Sequence, residues 1–183
     1  MKGLRRILPL LVLLGGAAAL GAAAARQAGA GVQEGHRLMD RYLGTWKATV
    51  SLALPEMGTV DLDGSETNKL GPGGRWMVTD LQFEYLGGRF EGHGILGFDP
   101  RRNAYQSCWV DSVDDFLKVA EGTWDEATAT LRLERAFTDE TGQRVTERVE
   151  DRFVDANTRE VTIREQVTGG DPVESMRIEL RRN

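Results

Sequence analysis

The chain is poor in the residues from which most catalytic and metal centres are built. It has one cysteine and two histidines in 183 residues. One cysteine excludes an internal disulfide and a Cys-rich zinc site. Two histidines exclude a three-His metal site and, with the lone thiol, leave almost no material for a nucleophilic triad. Basic charge is also short: 23 Lys and Arg stand against 28 Asp and Glu, a net charge of −5. Such a chain is not built to wrap a phosphate backbone, and no nucleic-acid partner is expected. There is no Gly-x-Ser-x-Gly elbow, no Walker A loop and no dinucleotide fingerprint. Asp111, Asp114 and Asp115 resemble calcium chemistry only loosely, without an EF-hand loop. Linkers, charge blocks and internal repeats are missing too, so a single domain is expected.

The one long apolar run is at the start. Lys2, Arg5 and Arg6 precede a stretch from Ile7 to Ala25 that is Leu-rich first and Ala/Gly-rich later. A basic start, an apolar middle and a small-residue end define a secretory signal peptide, here 1–25, followed by a flexible leader at 26–32. An uncleaved anchor is the alternative, but Ala and Gly in its second half weaken insertion. Cleavage removes three basic residues and no acid, leaving 20 basic against 28 acidic residues. Export is expected, to the periplasm or beyond, with no membrane association after cleavage. Cys108 would then be an unpaired thiol in an oxidising compartment, where burial usually keeps it inert.

From residue 33 a short helix gives way to strands. Leu38, Met39, Tyr42 and Leu43 share one face of a helix over Gln33–Leu43, with Gly44 as its stop. Then the period becomes two. Ten strands are predicted: Thr45–Ala53, Val60–Leu70, Arg75–Leu86, Arg89–Asp99 and Asn103–Ser112, then Leu117–Asp125, Ala129–Phe137, Gln143–Val154, Arg159–Val167 and Val173–Arg181. The joints carry turn residues, such as Leu86-Gly87-Gly88-Arg89 and Thr138-Asp139-Glu140-Thr141-Gly142. Short links force an up-and-down meander. Closure removes its two free edges. The expected fold is therefore all-β: a single up-and-down antiparallel barrel of about ten strands with a short N-terminal helix.

The inward faces carry charge. Val145, Glu147, Val149, Asp151 and Phe153 alternate together, as do Val161, Ile163, Glu165 and Val167, and Leu131, Leu133, Arg135 and Phe137. Three successive strands thus aim Arg135, Glu147 and Glu165 at the lumen or at its rims. Buried charges need partners or water, so a polar cavity is one reading and solvated rims the other. Gly92 and Gly94 share a face with Phe90, Leu96 and Phe98 and leave room there for a packed Trp, a strand or a ligand. His93 lies on the other face and reads as exposed or hydrogen-bonded; His36 reads as solvated. Trp46, Trp76, Trp109 and Trp124 read as core packing.

Three segments together resemble a known family: Leu43-Gly44-Thr45-Trp46, Phe90-Glu91-Gly92-His93-Gly94-Ile95-Leu96-Gly97-Phe98-Asp99, and Trp109-Val110-Asp111-Ser112. Glu121-Gly122 and Met176 to Arg181 add to them. The set resembles the bacterial family catalogued as domain of unknown function 1579, over roughly Gly35 to Arg181. The resemblance implies a calycin-like barrel and no particular activity. Phe98 stands where members often carry Tyr, which removes a hydroxyl. Related haem-binding barrels use a His near the C-terminus; no His follows His93, so no cofactor is expected.

The leading functional expectation is an exported module binding a small apolar or amphipathic ligand, with Trp46, Trp109, Asp111, Arg135, Glu147 and Glu165 as the candidate site. An enzyme, an isomerase or hydrolase with Asp111 or Glu147 as base, is one alternative. A structural or protein-interaction domain of the envelope is another.

Overall fold

The computed structural model describes residues 33–54, 58–85 and 87–183. The expected signal peptide and leader lie outside the described residues. The chain forms α1 (Glu34–Arg37), a 3₁₀ turn (Leu38–Arg41), and then β1 (Gly44–Leu54), β2 (Gly58–Leu70), β3 (Trp76–Tyr85), β4 (Gly88–Asp99), β5 (Ala104–Asp111), β6 (Lys118–Asp125), β7 (Thr130–Thr138), β8 (Arg144–Phe153), β9 (Thr158–Val167) and β10 (Val173–Arg182). Each strand pairs antiparallel with the next, and β1 pairs with both β2 and β10, so the sheet is a closed barrel. The closing seam runs from Trp46 opposite Arg182 to Leu52 opposite Met176. No strand edge is left exposed along it. The meander, the closure and the all-β class are as the alternation predicts.

The helix is tighter than its spacing predicts. Only one α-turn forms before the backbone winds down to 3₁₀ geometry. The reason is packing: the segment is a plug for one barrel end. Leu38, Met39 and Tyr42 are buried beneath it. Arg182, at the end of β10, donates to the carbonyls of Leu43 and Arg41 at 2.6 and 2.8 Å, satisfying the terminal groups that a short helix leaves open. Gly44 turns the chain into β1 with φ +109°, a conformation other residues rarely adopt.

His36 is a correction. It is 4% exposed rather than solvated. Its Nδ1 accepts from the Gln33 N–H at 3.0 Å, and its ring meets Phe98 edge-on. The ring of Phe98 also lies flat against Gly35, and the Tyr105 hydroxyl donates to the Gly35 carbonyl at 2.8 Å. Phe98 thus serves as a seat for the plug, a task that needs no hydroxyl.

Trp76 is a second correction. It is 42% exposed on the outer face, where its ring covers Gly97. The other three tryptophans belong to the interior. Trp46 is fully buried at the plugged end; its Nε1 donates to the Tyr42 carbonyl at 2.7 Å, and the guanidinium of Arg182 stacks over its ring at 4.1 Å. Cys108 is only half-buried, with its cross-strand partners Ile95 and Val119 both exposed.

Candidate functional site

Above the plug the barrel is not filled. A cavity of about 370 Å³ runs from Tyr42 at the plugged end toward Glu165 near the opposite rim. Glycine opens it on one side. The Trp109 ring lies against Gly92 and Gly94, and a Cβ at Gly94 would stand 2.9 Å from it. The missing side chains let the indole lie flat along the wall instead of filling the lumen.

Rows of paired residues form the opposite wall. Leu133, Val149 and Ile163 are cross-strand partners on β7, β8 and β9. Two residues further along the same strands, toward the rim, Arg135, Glu147 and Glu165 form the next row. Two residues the other way lie Leu131, Asp151 and Val161. Strand alternation alone brings the three charges of the row nearer the rim together.

The charges of the lining fall into three groups, each with one cation and two carboxylates. The deepest centres on Arg159. Its guanidinium donates to Asp151 at 3.1 and 2.8 Å and to Glu66 at 2.8 Å. It also lies 4.4 Å over the Tyr42 ring. Asn68 donates to Glu66 at 2.5 Å and accepts from Thr79 at 2.6 Å. Burial, opposed by Arg159 and assisted by Glu66, pushes the Asp151 carboxyl above the usual range.

The second group centres on Lys118, between Asp111 and Asp114. Asp111 accepts from Trp109 Nε1 at 3.0 Å, from the backbone N–H of Val113 and Asp114 at 3.0 and 2.9 Å, and from Lys118 at 2.9 Å. Burial works to raise its pKa, but Lys118 and the two backbone donors outweigh it and hold the carboxyl below its ordinary value. A carboxylate so saturated and so acidic makes a poor general base at neutral pH.

The third group is the row of Arg135, Glu147 and Glu165. Arg135 forms an ion pair with Glu147 through its Nη2 and Oε1, while its own Nε is buried without a hydrogen-bond partner among the described residues. Glu165 faces Glu147 across the β8–β9 pair. Burial first, and Glu165 further, push the Glu147 pKa above the usual carboxylate range, while Arg135 pulls it down.

The structure therefore brings Trp109, Asp111, Arg135, Glu147 and Glu165 to one cavity. Trp46 lies below the floor and does not reach the lumen. Reasoning from sequence missed Glu66, Arg159 and Lys118. Arg159 was detectable, because the inward parity of Val161 and Ile163 extends back to it. Among the described residues no group of three His, Cys, Asp or Glu side chains could hold a metal ion.

These opposed shifts make acid stability non-monotonic. A carboxyl whose folded pKa is raised, as for Glu147, costs stability where it is ionised in both states; that cost fades as pH falls through the raised folded pKa and is gone below the unfolded value of about 4.3. Asp111 does the reverse: its stabilisation is full above about pH 3.9 and is lost as pH falls through its depressed folded pKa. The melting temperature is expected to rise as pH falls from neutrality toward the ordinary carboxylate range and then to drop below about 4. Glu147→Gln should shrink the rise. Calorimetry across this range checks it; a steady decline from neutrality would contradict it.

Fold and cavity together define a calycin-like barrel with a partly polar interior. The chain belongs to the family described as a protein of unknown function (DUF1579), whose model matches residues 32–182. Among solved structures it is similar to Rv2717c from M. tuberculosis, with a TM-score of 0.62 and 12% identity over 83% of this chain and 99% of that one. It is also similar to the S-type phycobiliprotein lyase CPES from Guillardia theta, with a TM-score of 0.55 and 13% identity over 86% of this chain and 96% of that one. At these identities the likeness is one of fold. No curated protein matches the chain.

Proposed function

We propose that the protein is an exported binding module that holds one small amphipathic molecule inside its barrel. The cavity carries this reading. Its volume of about 370 Å³ falls within the range of small-molecule sites, and an apolar wall beside buried charges suits a ligand with one apolar and one polar part. The shared fold with a phycobiliprotein lyase is compatible with a small-molecule partner. Export rests on the basic start and the apolar run of residues 7–25.

Catalysis by a cavity carboxylate is the second reading. Of its two candidate bases, Glu147 is the one whose pKa burial raises, whereas that of Asp111 is lowered.

Native mass spectrometry of protein purified from its own host tests the binding reading, with a 1:1 small-molecule adduct expected. Val149→Trp places an indole across the apolar wall. It should abolish the adduct while costing about 1–3 kcal/mol of stability, as overpacking does. An adduct that survives in the folded variant would place the ligand elsewhere.

A further inference from the structure

We propose that the ligand of this cavity carries an ammonium group, received by Glu147 and Glu165, with its apolar body along the wall of Leu133, Val149 and Ile163. The inference rests on the cavity-binding reading and adds the chemical class of the ligand.

The charge balance of the lining comes first. Six carboxylates (Glu66, Asp111, Asp114, Glu147, Asp151 and Glu165) stand against three cations, Lys118, Arg135 and Arg159, a formal surplus of three negative charges in one lumen. An anionic ligand would enter against that field, and a cationic one would relieve it.

Hydrogen bonding then locates the receiving group. The Arg159 group is closed: its guanidinium spans Asp151 and Glu66, and Asn68 takes part of what remains. The Lys118 group is closed as well, since the ammonium sits between its two carboxylates and Asp111 has four donors. Only the row of Arg135, Glu147 and Glu165 is open. Glu147 is 3% exposed, and its Oε1 is ion-paired with the guanidinium of Arg135, whose own Nε is buried without a hydrogen-bond partner among the described residues. Among the described residues the Glu165 side chain has no hydrogen bond or ion pair, and its partner across the β8–β9 pair is another carboxylate. Glu147 is held by one guanidinium alone, and Glu165 beside it adds a second carboxylate with no cation of its own among the described residues. A group that supplies both N–H donors and positive charge satisfies both needs.

The occupant is an organic cation rather than a metal ion. The row offers only two carboxylates, and among the described residues no triad of metal-ligating side chains exists. The apolar row directly below, one pleat repeat along the same three strands, sets where the body of the molecule lies. A lumen of about 370 Å³ holds about a dozen water-sized groups, which matches a short-chain amine and not a long lipid.

Isothermal titration of the whole mature protein with octylamine, 1-octanol and octanoate, at neutral pH and low salt, tests the proposal. The three probes share a tail and differ in head charge. Octylamine is expected to bind at least about tenfold tighter than octanol, with octanoate weakest. Glu165→Gln and Glu147→Gln should each remove most of the amine's advantage. Octanol affinity should change less than about threefold, showing that barrel and wall are intact. Equal affinities for amine and alcohol, or an amine preference that both variants retain, would overturn the ammonium assignment and leave the cavity reading standing. If none of the three binds, both fall.

Discussion

Arg159→Met is expected to be the most damaging single substitution in the barrel. Arg159 is 2% exposed and holds two buried carboxylates, Asp151 and Glu66, from strands far apart in sequence. Met fills much of the same volume, so the packing against Tyr42 and Trp46 largely survives. The charge balance does not: two carboxylates remain buried with no cation between them. Breaking a buried ion pair from one side costs about 3–5 kcal/mol. For a domain of this size that lowers the melting temperature by roughly 10 °C or more. The cause is separable from simple loss of contact. Adding Glu66→Gln and Asp151→Asn removes the stranded charges and should restore most of the loss, because a buried charge cluster replaced as a whole is often near neutral. A triple variant no more stable than Arg159→Met would show that the guanidinium acts through packing alone.

Gly122→Ala is the second large effect, and its sign is the diagnostic. Gly122 lies on β6 opposite Leu133 of β7. A Cβ there would overlap the backbone carbonyl of Arg132, which cannot move without breaking the β6–β7 ladder. Most Gly-to-Ala changes at compatible positions stabilise slightly, by restricting the unfolded chain. Here the expected cost is about 3 kcal/mol, the upper end for overpacking. Gly88→Ala is the matched control. Its Cβ would meet only the Tyr85 carbonyl, at an ordinary 3.6 Å, so it should be neutral or mildly stabilising. Chemical denaturation of the two variants side by side distinguishes them, and equal midpoints would contradict the close approach of β6 to β7.

Most of the fold was legible because a meander is a local pattern. Period-two alternation and turn residues place nearly every strand to within a residue or two; Ala104–Asp111 is one residue shorter than expected at each end, and Lys118–Asp125 starts one residue late. Parity also foretold the row of Arg135, Glu147 and Glu165, since these strands pair without a bulge across that row. Where alternation was weak, the site was invisible. Along β2 the inward face reads Leu62, Gly64, Glu66 and Asn68, too polar to announce itself as a core face. Lys118 comes into the cavity through the loop after Asp111, whose backbone folds onto the Asp111 carboxylate. No periodicity encodes that turn. His36 and Trp76 were misread for related reasons: a plug residue is buried by a barrel end distant in sequence, and an exposed indole is retained outside by a glycine on the neighbouring strand.

The central claim is that this barrel encloses a site for one small molecule between its apolar and charged rows. Backbone NMR during titration with octylamine tests it most directly. Amide shifts are expected to concentrate on β7, β8 and β9 around Leu133, Val149 and Ile163 and to saturate at one equivalent. Shifts scattered over outer-face residues such as Val110 and Val119, without saturation, would contradict it.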